Sequence, residues 1–216
     1  MKFSCLSFYS NEKSASYKGL PKVSKLKNKM NNQGEISLKT LVIVTHPNIE
    51  KSRINKTWME AIQNQDDVTI HQLYTTYPDQ KIDVSKEHEL LLAHDRIILQ
   101  FPFQWYSTPA LLKEWFDRVL VGDFGIRSTT FPLRGKHLGV AVSTFGPAES
   151  YQPTGYNRYT MEELLKPIQA TASNPFIGMT FMTPYILHGI GDVTDEQLAQ
   201  NAAEYVKYVT NQSVTV

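Results

Sequence analysis

Residues 96–109 read Arg-Ile-Ile-Leu-Gln-Phe-Pro-Phe-Gln-Trp-Tyr-Ser-Thr-Pro. Arg96 to Phe101 is a largely continuous apolar run without alternation, the pattern of a strand covered on both faces. It stops at a loop held between Pro102 and Pro109. Pro109 to Val121 then has helical spacing, with proline near the first turn, where a missing N–H costs nothing. Strand, stiff loop and helix make up most of a βαβ repeat, and the same alternation extends both ways. Upstream, Leu41 to Thr45 is a β-branched first strand. Arg53 to Gln65 carries Ile54, Trp58, Ala61 and Ile62 at helical spacing, Val68 to Leu73 reads as a second strand, and Val84 to Ala93 as a helix. Downstream, Leu138 to Ser143 is a fourth strand. Thr160 to Ala172 is a helix opened by a capping box of Thr160 and Glu163, which Pro167 should bend or end early. Phe176 to Phe181 is the fifth strand, and Thr194 to Val209 a closing helix with Asp195 and Glu196 in its first turn. Five strands alternating with helices predict an α/β three-layer sandwich around a five-stranded parallel sheet.

Composition sets the bounds. The 216 residues are 41% hydrophobic and 20% charged, as expected of a soluble globular chain with one sizeable core. No run approaches the ~20 apolar residues of a membrane helix. A single cysteine, Cys5, excludes an internal disulfide framework and cannot make a zinc site alone, which fits a reducing cytoplasm. The net charge of +1 hides an asymmetry: residues 1–39 carry eight Lys against Glu12 and Glu35, a net of +6, leaving −5 on residues 40–216. Segment 1–39 is rich in Ser, Lys and Asn with no sustained hydrophobic period. We expect a flexible, disordered basic extension there and a single domain over 40–216. Phe3 to Tyr9 is too short and serine-broken for a secretory signal, and the extension lacks the Arg of a mitochondrial presequence. Met30 offers an alternative translation start. No nucleic acid partner is expected, because the folded part has neither a basic stripe with aromatics nor a reader motif.

In an open parallel sheet, ligands bind beyond the carboxyl ends of the strands near the switch in strand order, so the loops after strands one, three and four matter most. The first is His46-Pro47-Asn48-Ile49-Glu50-Lys51-Ser52-Arg53-Ile54-Asn55, running into a helix whose unpaired N–H groups and dipole would suit a phosphate. Ser52 as a plain N-cap is the simpler account of that segment taken alone. It has neither the GxGxxG of a dinucleotide fold nor a P-loop. The second loop, Pro102 to Pro109, offers backbone amides and aromatics to a planar heterocycle, or simply covers the end of the sheet. The third, Ser143-Thr144-Phe145-Gly146-Pro147 followed by Tyr151, allows close backbone approach and a phenol that can donate to a developing oxyanion, or is a plain surface loop. No Ser-His-Asp set, HExxH or CxxC suggests a hydrolase or a metal site.

Together these loops resemble the NAD(P)H:quinone oxidoreductase family of flavodoxin-like flavoproteins. The likeness is strongest to its small bacterial branch, which includes general stress protein 14 and the ancillary oxidoreductase of glutathione-gated potassium efflux systems. It runs from about Leu41 to Gly189. It is carried by His46-Pro47 with Ser52-Arg53-x-Asn55, Leu73-Tyr74-x-x-Tyr77-Pro78-Asp79, Gln100-x-Pro102-x-x-Trp105-Tyr106-Ser107-x-Pro109 and Glu163-Leu164-Leu165-Lys166-Pro167. The resemblance implies a flavodoxin-like fold and FMN, or the FAD of larger relatives. The phosphate would lie at His46, Ser52, Arg53 and Asn55. The ring would lie against Pro102, Phe103, Gln104, Trp105 and Tyr106 and against Ser143, Thr144, Phe145 and Gly146.

The resemblance further implies hydride transfer from NADPH or NADH through the flavin to a quinone or similar acceptor in a ping-pong cycle. Tyr151 would stabilise charge on the reduced flavin, and the protein would be a homodimer with flavin at the subunit interface. Three departures stand out. Ser143-Thr144-Phe145-Gly146 replaces the common Thr-Thr-Gly-Gly. Asn157 replaces a histidine of animal members, removing that route for a proton. Phe124-Gly125-Ile126-Arg127 replaces Trp-Ala-Tyr-Gly, which alters acceptor preference. An alternative is a flavin-binding regulatory subunit docked on a potassium efflux transporter, cytoplasmic but peripheral to the inner membrane. A flavodoxin-type electron carrier fits poorly, since such carriers are far more acidic than −5.

Overall fold

Each central strand feeds two cores at once, which is why its sequence lacks alternation. In the computed structural model, which describes residues 38–210, strand β1 (Thr40–Val44) is buried along its whole length. Leu41 and Ile43 point to one layer, Val42 and Val44 to the other. Strand β2 (Val68–Gln72) pairs with one side of β1 and β3 (Arg96–Pro102) with the other, both parallel. Next come β4 (His137–Ser143) and β5 (Thr180–Phe181), giving the order β2-β1-β3-β4-β5. This is the flavodoxin-like order, with its switch between β1 and β3. The expectations for residues 1–37, including Cys5 and Met30, lie outside the described residues.

Helix α1 (Arg53–Ile62) and the closing helix α6 (Asp195–Thr210) cover one face, burying Ile54, Trp58, Ile62, Leu198 and Tyr205. The other face is covered by the single turn α2 (Leu73–Thr76), α3 (Val84–Ala93), α4 (Ala110–Val119) and α5 (Met161–Ala172). No helix among the described residues is long and apolar enough to cross a membrane.

Three local expectations need correction. The fifth strand is not Phe176–Phe181. Asn174 O accepts from both the Ile177 and Gly178 N–H groups, and Gly178 has φ +69°, so the chain turns until Thr180. Met182 N–H still donates to Leu138 O of β4 at 2.8 Å, and after Thr183 and Pro184 the pairing resumes as β6 (Tyr185–Leu187). One strand position is thus filled by two pieces. Pro167 neither ends nor shortens α5. It lies on the exposed side of the helix, where water can satisfy the carbonyl that loses its partner. The second strand stops at Gln72 and Leu73 begins α2, a single turn too short to show a period.

The layer formed by α2 to α5 contains a buried carboxylate. Glu87 on α3 has no exposed surface; Oε1 accepts from Tyr77 OH at 2.6 Å and meets His71 Nε2 at 2.9 Å, while Oε2 accepts from Trp115 Nε1 at 2.7 Å. Burial pushes this carboxyl up, but the bonds and charge of His71, with Tyr77 and Trp115, outweigh it, and the net direction is down. A carboxyl depressed in the folded state stabilises above its unfolded pKa, about 4.3 for Glu, and loses that contribution as pH falls through its folded value. Glu87→Ala should therefore cost about 3 kcal/mol in urea unfolding at pH 7. The wild type should lose stability below about pH 4 more steeply than Glu87→Gln.

Candidate functional site

The loops after β1, β3 and β4 all leave the carboxyl edge of the sheet on or beside the switch point. Thr45 N–H donates to Gln100 O at 2.8 Å, extending the pairing of β1 with β3 by one residue, while its buried Oγ1 has no partner among the described residues. At His46, Nδ1 accepts from Asn48 N–H at 3.1 Å, and burial holds the imidazole below the ordinary histidine pKa. A short 3-10 turn, Ile49–Lys51, leads to Ser52, whose Oγ accepts from Asn55 N–H at 3.1 Å. Ser52 is thus the N-cap of α1, satisfying one of the N–H groups that a helix start leaves without an intrahelical partner.

Arg53 and Asn55 diverge although they are two residues apart. Arg53 donates to Val193 O at 2.7 Å and to Asp195 Oδ1 at 2.6 Å, tying the start of α1 to the start of α6. The partners the structure gives this guanidinium are therefore a carbonyl and a carboxylate of its own chain. Asn55 turns inward. Its Nδ2 donates to Ser143 Oγ at 3.0 Å, and its buried Oδ1 has no partner among the described residues. Behind it, Gln100 Nε2 donates to Asn55 O at 2.8 Å, and Gln100 Oε1 accepts from Tyr205 OH at 2.9 Å.

The loop after β3 contains a tight turn. Gln104 and Ser107 exchange backbone bonds in both directions, at 3.1 and 2.9 Å, with Trp105 at φ +45° and Tyr106 at φ +61° between them. Two consecutive left-handed residues are what an Asn-Gly turn usually supplies; with Cβ atoms they are strained. The strain presents two rings. Trp105 is 93% exposed, and Tyr106, held by its hydroxyl on Asn157 Oδ1 at 3.0 Å, is 46% exposed. Pro102 pairs with Ser143 in the register of the sheet, and Phe103 N–H donates to Ser143 O at 2.9 Å.

In the loop after β4, Thr144 is buried and Phe145 is 82% exposed. A Cβ on Gly146 would come within 3.3 Å of the Tyr151 ring, so glycine lets that ring approach closely. Tyr151 is buried between Phe103, edge-on at 6.4 Å, and His188, tilted at 5.1 Å. His188, just beyond β6, was not among the residues the sequence singled out. Only the pairing of β6 with β4 brings it here, and Leu-His-Gly at the end of a strand carries no recognisable motif. Asn157 is engaged by Tyr106, as above. In the 124–127 segment, Phe124 stacks inside the core on His88 at 3.6 Å, while Ile126 is exposed.

A doubly wound parallel sheet with a capped helix start, an aromatic turn and a small hydroxyl and glycine loop at its switch point defines an α/β domain of flavodoxin type. The chain belongs to the family described as having a flavodoxin-like fold, whose pattern matches residues 38–209. It is 47% identical over 174 residues to the uncharacterized NAD(P)H oxidoreductase YdeQ of Bacillus subtilis (strain 168), covering 81% of this chain and 87% of that one. It is 37% identical over 173 residues to the glutathione-regulated potassium-efflux system ancillary protein KefG of Cronobacter sakazakii, covering 80% and 93%. Among solved structures, general stress protein 14 of Treponema denticola in complex with FMN superposes with a TM-score of 0.74. Their identity is 34%, over 81% of this chain and 99% of that one. An NADPH-quinone reductase from P. pentosaceus has a TM-score of 0.73, again at 34% identity and with the same coverage.

The strain at residue 105 can be separated from its ring. Trp105→Gly and Trp105→Ala both delete the indole, but only glycine occupies φ +45° at no steric cost. The glycine variant should be more stable by about 1 kcal/mol, or roughly 3 °C in melting temperature.

Proposed function

We propose that this protein is an NAD(P)H oxidoreductase that holds FMN at the carboxyl edge of its sheet and reduces a quinone-type acceptor. One observation carries this reading: three loops far apart in sequence are joined at one edge, Asn55 to Ser143 by a hydrogen bond and Phe103 to Tyr151 by ring packing. The site suits a flavin. Two buried polar atoms without partners among the described residues, Thr45 Oγ1 and Asn55 Oδ1, lie beside the start of α1. That helix start, with Ser52 and neutral His46, takes the phosphate. Asn55 shapes the floor from inside, and Arg53, committed to Val193 and Asp195, braces the helix start rather than closing on the anion. Pro102, Phe103, Gln104, Trp105 and Tyr106 form one wall of the ring site, and Ser143, Thr144, Phe145 and Gly146 the other.

FMN held here would supply hydride chemistry between NADPH or NADH and a quinone-type acceptor that takes the donor's place, a ping-pong order. FAD would need further room for its adenylate. The residues orient and exclude: the walls sandwich the ring, and Tyr151 supplies a phenol beside Gly146 to stabilise developing negative charge. Residues 40–216 act as one oxidoreductase domain in the cytoplasm. Exposed Trp105, Phe145 and Tyr156, 93%, 82% and 90% accessible, suit a homodimer whose second copy closes the site.

The identity to KefG supports a second reading, a regulatory flavoprotein on a potassium efflux transporter. Co-purification with such a transporter, with no turnover of the free protein, would favour it.

The visible spectrum of the purified protein should show a flavin that bleaches with NADPH under anaerobic conditions and returns on adding a quinone. A colourless protein that takes up neither FMN nor FAD would end this reading. Trp105→Ala should weaken FMN binding about tenfold, a loss of about 1.4 kcal/mol. Tyr151→Phe should lower turnover and leave flavin content unchanged. Equal flavin loss in both variants would refute the division between wall and chemistry.

A further inference from the structure

The reduction proposed above needs a proton as well as a hydride, and the position of Asn157 offers no acid. The titratable groups at the carboxyl edge include one that the mechanism has not used. His188 follows β6 and reaches into the same row of rings as Phe103 and Tyr151. Its Nδ1 lies 2.9 Å from Thr144 Oγ1, and that hydroxyl also lies 2.9 Å from Gly146 O. A hydroxyl has one hydrogen, and a carbonyl oxygen can only accept. Thr144 therefore donates to Gly146 O and accepts from His188, so the proton of neutral His188 sits on Nδ1. Its Nε2 lone pair has no hydrogen-bond partner among the described residues.

This is a one-handed imidazole: one nitrogen fixed by the cofactor-facing loop, the other able to take and give a proton, the ring packed on Tyr151. We propose that His188 is the proton-transfer group of the site, acting at Nε2, with Thr144 setting its tautomer and Tyr151 holding its plane. The proposal rests on the oxidoreductase reading. Conversion of a quinone to a hydroquinone consumes one hydride, which originates in NAD(P)H, and one proton on the oxygen that takes up the negative charge. Protonated His188 transfers its Nε2 proton to that oxygen, becomes neutral imidazole and recovers a proton from water; NAD(P)+ and hydroquinone leave. The groups acting on His188 are Tyr151 and Glu149, both on the segment after β4. Burial lowers the pKa of His188 and the charge of Glu149 opposes that shift. Neutral His188 thus dominates at pH 7, and its acid form, once made, gives up the proton readily.

The test combines two readouts on the full chain. First, NMR of 15N-histidine-labelled protein, without flavin and with FMN, should show His188 as the Nδ1–H tautomer above its titration. Thr144→Val, which keeps His188 but removes the oxygen that fixes it, should give a mixture of tautomers. Second, benzoquinone reduction at saturating FMN should slow in the wild type as pH rises through the titration of His188. His188→Gln should lose that limb and run about 100-fold slower at low pH, with FMN affinity unchanged. An Nε2–H tautomer in the wild type overturns the proposal. So does an unchanged pH profile in His188→Gln, or a loss of FMN affinity that accounts for its lower rate. If the wild type takes up FMN and turns over while His188→Gln keeps its profile, this proposal alone fails. A wild type that takes up no FMN removes the cofactor reading and this one with it.

Discussion

Gln100 has no exposed surface and uses both ends of its amide, donating to the backbone of α1 at Asn55 and accepting from Tyr205 on α6. It stands on β3, two residues before the strand ends at Pro102 and the aromatic loop begins. A polar group at that depth is tolerable only when satisfied: each bond contributes about 1 kcal/mol net, but an orphaned end would cost about 1–3 kcal/mol. The geometry of one side chain therefore fixes where two helices sit on the sheet. Asn55, held by its carbonyl on Gln100, is also the residue that reaches Ser143 at the end of β4. The floor of the site and the packing of α1 and α6 on the sheet are one network.

Floor and walls differ in kind. The floor is made of buried, mutually bonded groups, whereas the walls carry Trp105 and Phe145 almost fully exposed. In the site we propose, a fixed floor with open aromatic walls would orient a planar ligand and leave the apolar gain to be collected on binding or on assembly. The left-handed turn at Trp105 and Tyr106 belongs to the same division, since strain of that kind persists only where neighbouring structure over-determines it. Here the reciprocal bonds of Gln104 with Ser107 and the hydroxyl of Tyr106 on Asn157 hold it.

Much was written in the sequence. A strand buried on both faces has nothing polar to alternate with, so Leu41–Val44 and Arg96–Phe101 were legible as central strands of a parallel sheet, and with them the loops that end at its carboxyl edge. The capping box at Thr160 and the cap at Ser52 were equally readable, because they depend on residues three positions apart. Local chemistry also drew attention to Asn55, Trp105, Ser143 and Tyr151, though not to what each one touches.

The rest was decided by contacts between distant segments. Pro167 stays inside a helix because the packing of α5 turns its unbonded side to water. The last strand position is split between β5 and β6 because β4 accepts both pieces. Arg53 faces Asp195 across 142 residues of chain, and His188 meets Thr144 across 44. Sequence specifies what is local, periodic or forced by burial; which side chains converge depends on strand order and register, and these exist only once the sheet has formed.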